Sequence, residues 1–191
     1  MPFPPARDIV VVHSSDLHVD HDYTARLHGG DGTAGLGCVL AAARDLSADV
    51  VLLAGDTFDS HRVPQDLIEQ AAAVIGASAL PVVILPGNHD PAIATAIYRD
   101  SPLKAVKNLH VIGVTHDNAI AFPNLALEVW GRPHRDYDDM IPFETVRARR
   151  SPDHRRRSFD QVLRHAMAVE GIAGEQHHVG CKIARRCEHA A

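Results

Sequence analysis

Three short runs of hydrophobic residues mark the first half of the chain. These runs are 9–13, 49–54 and 81–85. Short runs that are apolar on both faces are typical of strands buried inside a parallel sheet. Between them, apolar residues recur at helical spacing over 36–46 and 64–77, and Pro64 suits the first position of a helix. The alternation of strand and helix therefore predicts an α/β fold in which helices cover a parallel sheet.

The hydrophobic pattern becomes coarser after residue 90. Residues 92–98 predict a short helix, and 109–114, 119–122 and 125–130 predict three short strands separated by turn residues. The close spacing of these strands favours antiparallel hairpins and a second sheet. Upstream, 20–35 is polar and rich in glycine, but no Gly-Lys-Ser/Thr follows, so it is not a phosphate-binding P-loop. We expect a loop above the site there, with a lid that touches substrate as the alternative.

Composition narrows the class of protein. A chain of 191 residues is long enough for one domain with a sizeable core, and its net charge of −5 gives no general attraction to nucleic acid or anionic membranes. Three cysteines without a framework spacing favour a reducing compartment. The sequence shows no signal-peptide pattern and no apolar stretch long enough to span a bilayer. We therefore expect a cytoplasmic protein with no membrane partner.

The character of the chain changes near residue 147. Six arginines crowd into 147–157, and histidines and cysteines accumulate beyond them. We predict one domain over 1–146 and an Arg/His/Cys-rich tail over 147–191, with an amphipathic helix over 159–169. The tail is expected to be a solvated, disordered segment or a truncated or frame-disturbed end. Contact between its arginines and phosphate groups is the alternative.

Polar residues with ligand chemistry follow each of the three buried strands. They are Asp16 and His18 after the first, Asp56 after the second, and Asn88 and His89 after the third. Ligands of open α/β sheets bind outside the carboxyl ends of the strands, so we expect these side chains to converge. Asp16 and His18, at alternate positions of an extended segment, can bind one cation. Asp56 can bridge two cations, and Asn88 offers an oxygen to the second.

The remaining polar residues of these loops suggest supporting roles. His89 would compete for space if it bound the same ion as Asn88, so the role of a cation or general acid facing the leaving-group oxygen suits it better. Asp90 could hydrogen-bond to His89 and fix its tautomer, and Asp59 could orient the loop that carries Asp56. Two cations about 3.5–4 Å apart would clamp the attacking and leaving oxygens of a phosphoester. Mixed nitrogen and oxygen ligands suit manganese, iron and zinc alike.

In this order, Asp-x-His, Gly-Asp and Gly-Asn-His-Asp resemble the motifs of the calcineurin-like metallophosphoesterase superfamily. The Gly-Asp-Thr-Phe-Asp form at 55–59 is most similar to the SbcD-like branch of DNA-repair exonucleases. The resemblance covers 9–91 and implies a two-sheet α/β sandwich flanked by helices, with a dinuclear metal centre. It further implies site roles as follows: Asp16 and His18 bind the first metal, Asp56 bridges, Asn88 binds the second metal, and His89 is the catalytic histidine.

The chain departs from the family pattern in its second half. The family adds a late histidine at the end of a strand and then a Gly-His-x-His loop, whereas this chain contains no Gly-His pair. The late candidates are His165, His177 and His178, each expected to be a surface histidine rather than a ligand. We therefore expect a sandwich that is incomplete at its C-terminal end and a weakened second metal site.

Two functions remain open on the sequence. One is a metal-dependent phosphodiesterase with two divalent ions, manganese first and iron or zinc as alternatives, acting by in-line attack of an activated water. The resemblance favours nucleic-acid ends as its substrate and allows an ATPase partner. The other is a non-catalytic fragment of the fold that binds metal or a partner without turnover.

Overall fold

The computed structural model of the chain describes residues 8–138 and the backbone of residues 182–183. The strands are β1 (Val11–Ser14), β2 (Val50–Ala54), β3 (Val82–Leu85), β4 (Leu109–Val111), β5 (Ala119–Phe122), β6 (Leu127–Trp130) and β7 (Lys182–Ile183). The main sheet has the order β4-β3-β2-β1-β7, in which β1 to β4 run parallel and β7 pairs antiparallel with β1. The central strand, β2, places Val51 between Val12 and Val82. A second sheet consists of β5 and β6, paired antiparallel.

Three α-helices connect or flank the strands of the main sheet. They are α1 (Tyr23–Leu27), α2 (Ala34–Asp45) and α3 (Gln65–Ser78), and 3-10 turns lie at Pro102–Ala105 and Pro123–Leu125. The helix α3 begins directly after Pro64, whose fixed φ suits that boundary, and it ends at Ala79, which is left-handed. Among the described residues, no helix has the length and apolar character needed to cross a membrane.

The two central strands of the main sheet, β2 and β3, are buried on both faces. Every residue of β2 is buried, and successive residues alternate between two hydrophobic clusters. Val51 and Leu53 pack with α2 and α3, whereas Val50 and Leu52 pack with the β5–β6 hairpin. Because neighbouring residues of a strand point to opposite faces, a run that is apolar throughout needs a cover on each side. Burial of each such side chain contributes about 1.5–3 kcal/mol.

The α/β class, the parallel sheet and a second sheet are confirmed, whereas two local predictions are wrong. Residues 92–98 form turns instead of a helix, because their backbone groups serve contacts with other parts of the chain: Ala92 N donates to the carbonyl of His134, and the Arg99 side chain donates to the carbonyl of Ile93. The expected hairpin strand at 109–114 is β4, which joins the main sheet in parallel. In addition, the glycine-rich segment 20–35 contains the short helix α1.

Several predictions lie outside the described residues. They concern the domain boundary at 146/147, the tail 147–191 apart from the backbone of 182–183, the helix 159–169, and the late histidines His165, His177 and His178. These remain predictions.

Candidate metal centre

The loops that follow β1, β2 and β3 are joined by backbone hydrogen bonds. Asp16 N donates to Gly55 O over 3.2 Å, His18 N donates to Asp56 O over 3.0 Å, and Gly55 N donates to Leu85 O over 2.8 Å. Pairing between neighbouring chain segments thus continues beyond the ends of the regular strands. As a result, the residues predicted to converge are fixed side by side at the carboxyl edge of the sheet.

The backbone at this edge is left-handed at three non-glycine residues. Asp16 has φ 54°, His18 has φ 45° and Asp56 has φ 46°, which accounts for three of the six such residues in the described part of the chain. Each such conformation costs on the order of 1–3 kcal/mol, although Asp and His tolerate it better than most residues. The segment from Asp16 to His18 is therefore not extended as predicted. Two left-handed residues, rather than the alternation of a strand, bring their side chains together.

The side chains of Asp16, His18 and Asp56 form a compact set of donors. Each offers one ligand atom, and these atoms all lie within 4.8 Å of one another. Asp16 is exposed, and the other two are half-buried. Two carboxylates and an imidazole match the donor types that bind manganese, iron or zinc, so the residues present fit a divalent cation.

The loop after β3 packs directly against Asp56. His89 N donates to Asp56 Oδ1 over 3.0 Å. A Cβ at Gly87 would lie 2.2 Å from that oxygen and 2.5 Å from the backbone nitrogen of Asp56. Only glycine allows so close an approach, so Gly87 sets the distance between the second and third loops.

Asp59 links the two histidines of the site. Its Oδ1 lies 3.0 Å from Nδ1 of His18, and its backbone carbonyl accepts a hydrogen bond from Nδ1 of His89 over 2.7 Å. The rings of His18 and His89 are 5.0 Å apart and nearly perpendicular. Asp59 was expected to orient the loop of Asp56. Its carboxylate and carbonyl contact the two imidazoles, and its backbone nitrogen donates to Val19 O over 3.3 Å.

The predicted hydrogen bond between Asp90 and His89 is wrong. Asp90 is buried beneath the loop, where its carboxylate accepts from Gly87 N, Phe58 N and the hydroxyl of Tyr98. Burial raises the pKa of Asp90, and these hydrogen bonds oppose that shift. The pKa of Tyr98 is raised well above its usual value, first by burial and then by the charge of Asp90. Through these buried hydrogen bonds, Asp90 anchors the loop after β3 to the rest of the protein.

A cleft of about 230 Å³ opens beside this edge of the sheet. Its lining residues are Asp59, Ser60, His61, Asn88, His89 and Tyr137. Asn88 and His89 therefore share one wall, and the amide of His89 connects that wall to Asp56. The predicted site residues thus lie around one continuous region, formed by the donor set and the cleft.

Other residues near this region were not singled out from the sequence. His61 and Tyr137 line the cleft, and His134 lies against the loop after β3, since His134 N donates to Pro86 O over 3.1 Å. The sequence could have indicated His134 as a site residue, because it follows a hydrophobic strand, as the site residues after β1, β2 and β3 do. No comparable pattern in the sequence points to Tyr137.

The geometry agrees with comparison to known protein families. The family model for calcineurin-like phosphoesterases matches residues 9–184, so the chain belongs to that family. The family is named for phosphoester hydrolysis, and the donor set of Asp16, His18 and Asp56 in this chain could hold a metal ion.

Among individual relatives, the chain is similar to the SbcD subunit of the nuclease SbcCD from Bacillus subtilis (strain 168). The two are 28% identical over 107 residues, which is 54% of this chain and 27% of the relative. The chain thus matches about a quarter of that relative's length. This likeness agrees with the resemblance to the SbcD-like branch.

Proposed function

We propose that the chain hydrolyses phosphodiesters at a dinuclear metal centre. In this proposal Asp16 and His18 bind the first ion, Asp56 bridges, and Asn88 binds the second. The observation that carries it is the convergence of Asp16, His18 and Asp56, whose ligand atoms lie within 4.8 Å of one another. When bound, two divalent ions supply charge stabilisation to the phosphoryl group and lower the pKa of water toward ~7. Manganese is the metal we propose, with iron and zinc as alternatives.

His89 is the proposed general acid. The backbone carbonyl of Asp59 only accepts hydrogen bonds, so its contact with Nδ1 of His89 keeps a proton on that nitrogen. The proton that His89 exchanges is therefore the one on Nε2. An imidazolium on the cleft wall gives this proton to the leaving-group oxygen, a role that typically contributes about 10²–10⁴-fold in rate.

His18 and Asp59 form a carboxylate–histidine pair. Because Nδ1 of His18 faces Asp59 Oδ1 at 3.0 Å, we assign Nε2 of His18 to the first metal ion. A carboxylate behind a metal-binding imidazole fixes its tautomer and increases its basicity. Asp59 is thus proposed as a positioning residue.

Nucleic acid is the proposed source of the phosphodiester. Support comes from the likeness to a nuclease subunit, together with the Gly-Asp-Thr-Phe-Asp sequence at 55–59. Because that relative is named as one part of a larger nuclease, a partner protein belongs to the same proposal, and the resemblance points to an ATPase. A cytoplasmic location also stays a prediction.

The test is hydrolysis of bis-p-nitrophenyl phosphate by the manganese-loaded protein, with the metal content measured in parallel. We expect two ions per chain and steady turnover. His89→Ala should lower kcat by about 10²–10⁴-fold while both ions are retained. His116→Ala, which removes a histidine on the loop after β4, serves as the matched control and should match the parent.

Two results would contradict the proposal. Turnover of His89→Ala equal to that of the parent would remove His89 from the mechanism. A parent protein that binds metal but hydrolyses no phosphodiester would favour the non-catalytic alternative.

A further inference from the structure

The cleft beside the proposed catalytic histidine has an aromatic wall that the reaction itself does not require. The rings of His61 and Tyr137 lie 5.2 Å apart, tilted by 55°. Both line the same cleft as Asn88 and His89. The aromatic wall, defined as His61 and Tyr137, is therefore continuous with the proposed phosphoryl site.

Tyr137 remains accessible although its ring is largely apolar. It is 40% exposed and is one of three large hydrophobic residues exposed in the described part of the chain. Its backbone amide donates to Asp136 Oδ1 over 2.7 Å, a contact that ties down the turn on which the ring is carried. Exposed aromatic rings at the rim of a site are suited to contact with a ligand.

We infer that the aromatic wall stacks on a nucleobase of the substrate and makes His61 and Tyr137 specificity-determining residues. This inference rests on the proposed function, because the phosphate of the substrate must lie at the metal-binding edge for its base to reach the cleft. Every nucleobase has a flat face, and stacking on an aromatic side chain is tolerant of sequence. The wall therefore favours phosphoesters that carry any base over those that carry none.

The position of the aromatic wall indicates which part of the substrate it contacts. It shares the cleft with Asn88 and His89, so in this inference it holds the part of the substrate next to the phosphoryl group being cleaved. Stacking on an aromatic ring needs no charged side chain. Selection by the wall thus acts on the planar ring and leaves recognition of the phosphate to the metal-binding edge.

The test compares two ligands that differ only in the base: adenosine 5′-monophosphate and ribose 5-phosphate. Calorimetry on the manganese-loaded protein measures both affinities without requiring turnover. We expect the parent to bind the nucleotide more tightly. Tyr137→Ala should weaken nucleotide binding by about fivefold to tenfold, the lower part of the range for stacking on one ring, and leave ribose 5-phosphate unchanged.

Three further variants make the result specific. Tyr137→Phe keeps the flat ring and should retain the preference for the nucleotide, whereas His61→Ala removes the other half of the wall and should reduce it. Tyr23→Ala removes an exposed tyrosine of α1, which does not line the cleft, and should match the parent. Loss of nucleotide affinity in Tyr23→Ala equal to that in Tyr137→Ala would overturn the inference.

The outcomes separate this inference from the proposed function. Equal affinity of the parent for both ligands overturns the inference that the aromatic wall stacks on a nucleobase, and it leaves the phosphoesterase proposal in place. Failure of the parent to bind either ligand overturns the inference about the wall, whereas the phosphoesterase proposal is decided by the hydrolysis of bis-p-nitrophenyl phosphate. A preference for the nucleotide that depends on Tyr137, in a protein that hydrolyses no phosphodiester, supports the wall and rejects catalysis.

Discussion

Two pairs of facing histidines lie in different parts of the molecule. The rings of His18 and His89 are 5.0 Å apart at 88°, and those of His110 and His116 are 5.3 Å apart at 61°. The two pairs have almost the same separation, so distance between the rings does not distinguish them. The two pairs differ in the side chains that surround them.

The first pair lies among carboxylates. Asp59 Oδ1 is 3.0 Å from His18 Nδ1, and ligand atoms of Asp16 and Asp56 lie within 4.8 Å of one another and of His18. The second pair contacts neutral groups instead: His110 packs edge-on against Phe122, and His116 Nδ1 is 2.9 Å from the hydroxyl of Thr115.

This difference in surroundings explains why only the first pair belongs to a candidate metal site. Burial lowers the pKa of His110, and the nearby His116 lowers it further, so the neutral form of the His110 ring is favoured. Carboxylates instead attract cations of either kind, a proton or a metal. The acidic side chains on their joined loops, more than the imidazoles, define the site.

The largest effect should follow from removing the proposed bridge. Asp56→Asn keeps an oxygen available to the amide of His89 but removes the charge, so it should weaken both metal sites together. We expect manganese binding to fall sharply and kcat to drop below that of His89→Ala. Calorimetric titration with manganese, together with hydrolysis of bis-p-nitrophenyl phosphate, measures the two effects.

The matched control for this change is Asp117→Asn, which neutralises an exposed carboxylate on the loop after β4. It should bind manganese like the parent. Two ions bound by Asp56→Asn at parental affinity would rule out the bridging role.

The next effect tests the close approach of the loops. In Gly87→Ala the new methyl group would lie 2.2 Å from Asp56 Oδ1, so the loops must move apart. Overpacking of this kind typically costs about 1–3 kcal/mol of the free energy of unfolding. We expect a lower denaturation midpoint and weaker manganese binding than in the parent.

Gly37→Ala provides the comparison within the same protein. A Cβ at Gly37, in α2, meets nothing within 4 Å, and alanine is the better helix former. This variant should be as stable as the parent or more so, with unchanged metal affinity. If Gly87→Ala were as stable as the parent, the close approach of Gly87 to Asp56 would not be required for the fold.

A smaller effect is expected from the carboxylate behind His18. Asp59→Asn removes the charge that faces Nδ1, and loss of such a partner typically costs about 10–100-fold in metal affinity. The matched control is Asp66→Asn, since Asp66 pairs with His21 at the surface and its pKa is lowered chiefly by that hydrogen bond. If Asp59→Asn bound manganese as tightly as the parent does, Asp59 would have no role in metal binding.

Much of the fold could be predicted because one physical signal dominates each element. The segments that form β2 and β3 are apolar throughout and the segment that forms β1 begins with apolar residues, since helices cover one face of the sheet and a hairpin covers the other. Once three parallel strands are recognised, their carboxyl ends must share an edge. That rule alone predicted the proximity of Asp16, His18 and Asp56.

The features that were missed depend on tertiary contacts. Asp90 and His89 are adjacent and both polar, yet one is buried and the other exposed, and the hydroxyl that donates to Asp90 comes from Tyr98. Residues 92–98 have helical spacing, but their backbone groups bond to His134 and Arg99. Hydrophobic periodicity carries no information about such partners.

The pair of His110 and His116 should give the smallest effect, on stability rather than on metal binding. Because the pKa of His110 is lowered by folding, the unfolded chain binds more protons below the usual value of 6.5, and stability falls as the pH drops through that value. The free energy of unfolding of the parent, from chemical denaturation, should therefore fall more between about pH 7.5 and pH 5.5 than that of His110→Asn. Equal losses in both proteins would assign the acid sensitivity to other groups such as His13, whose pKa is also lowered by burial.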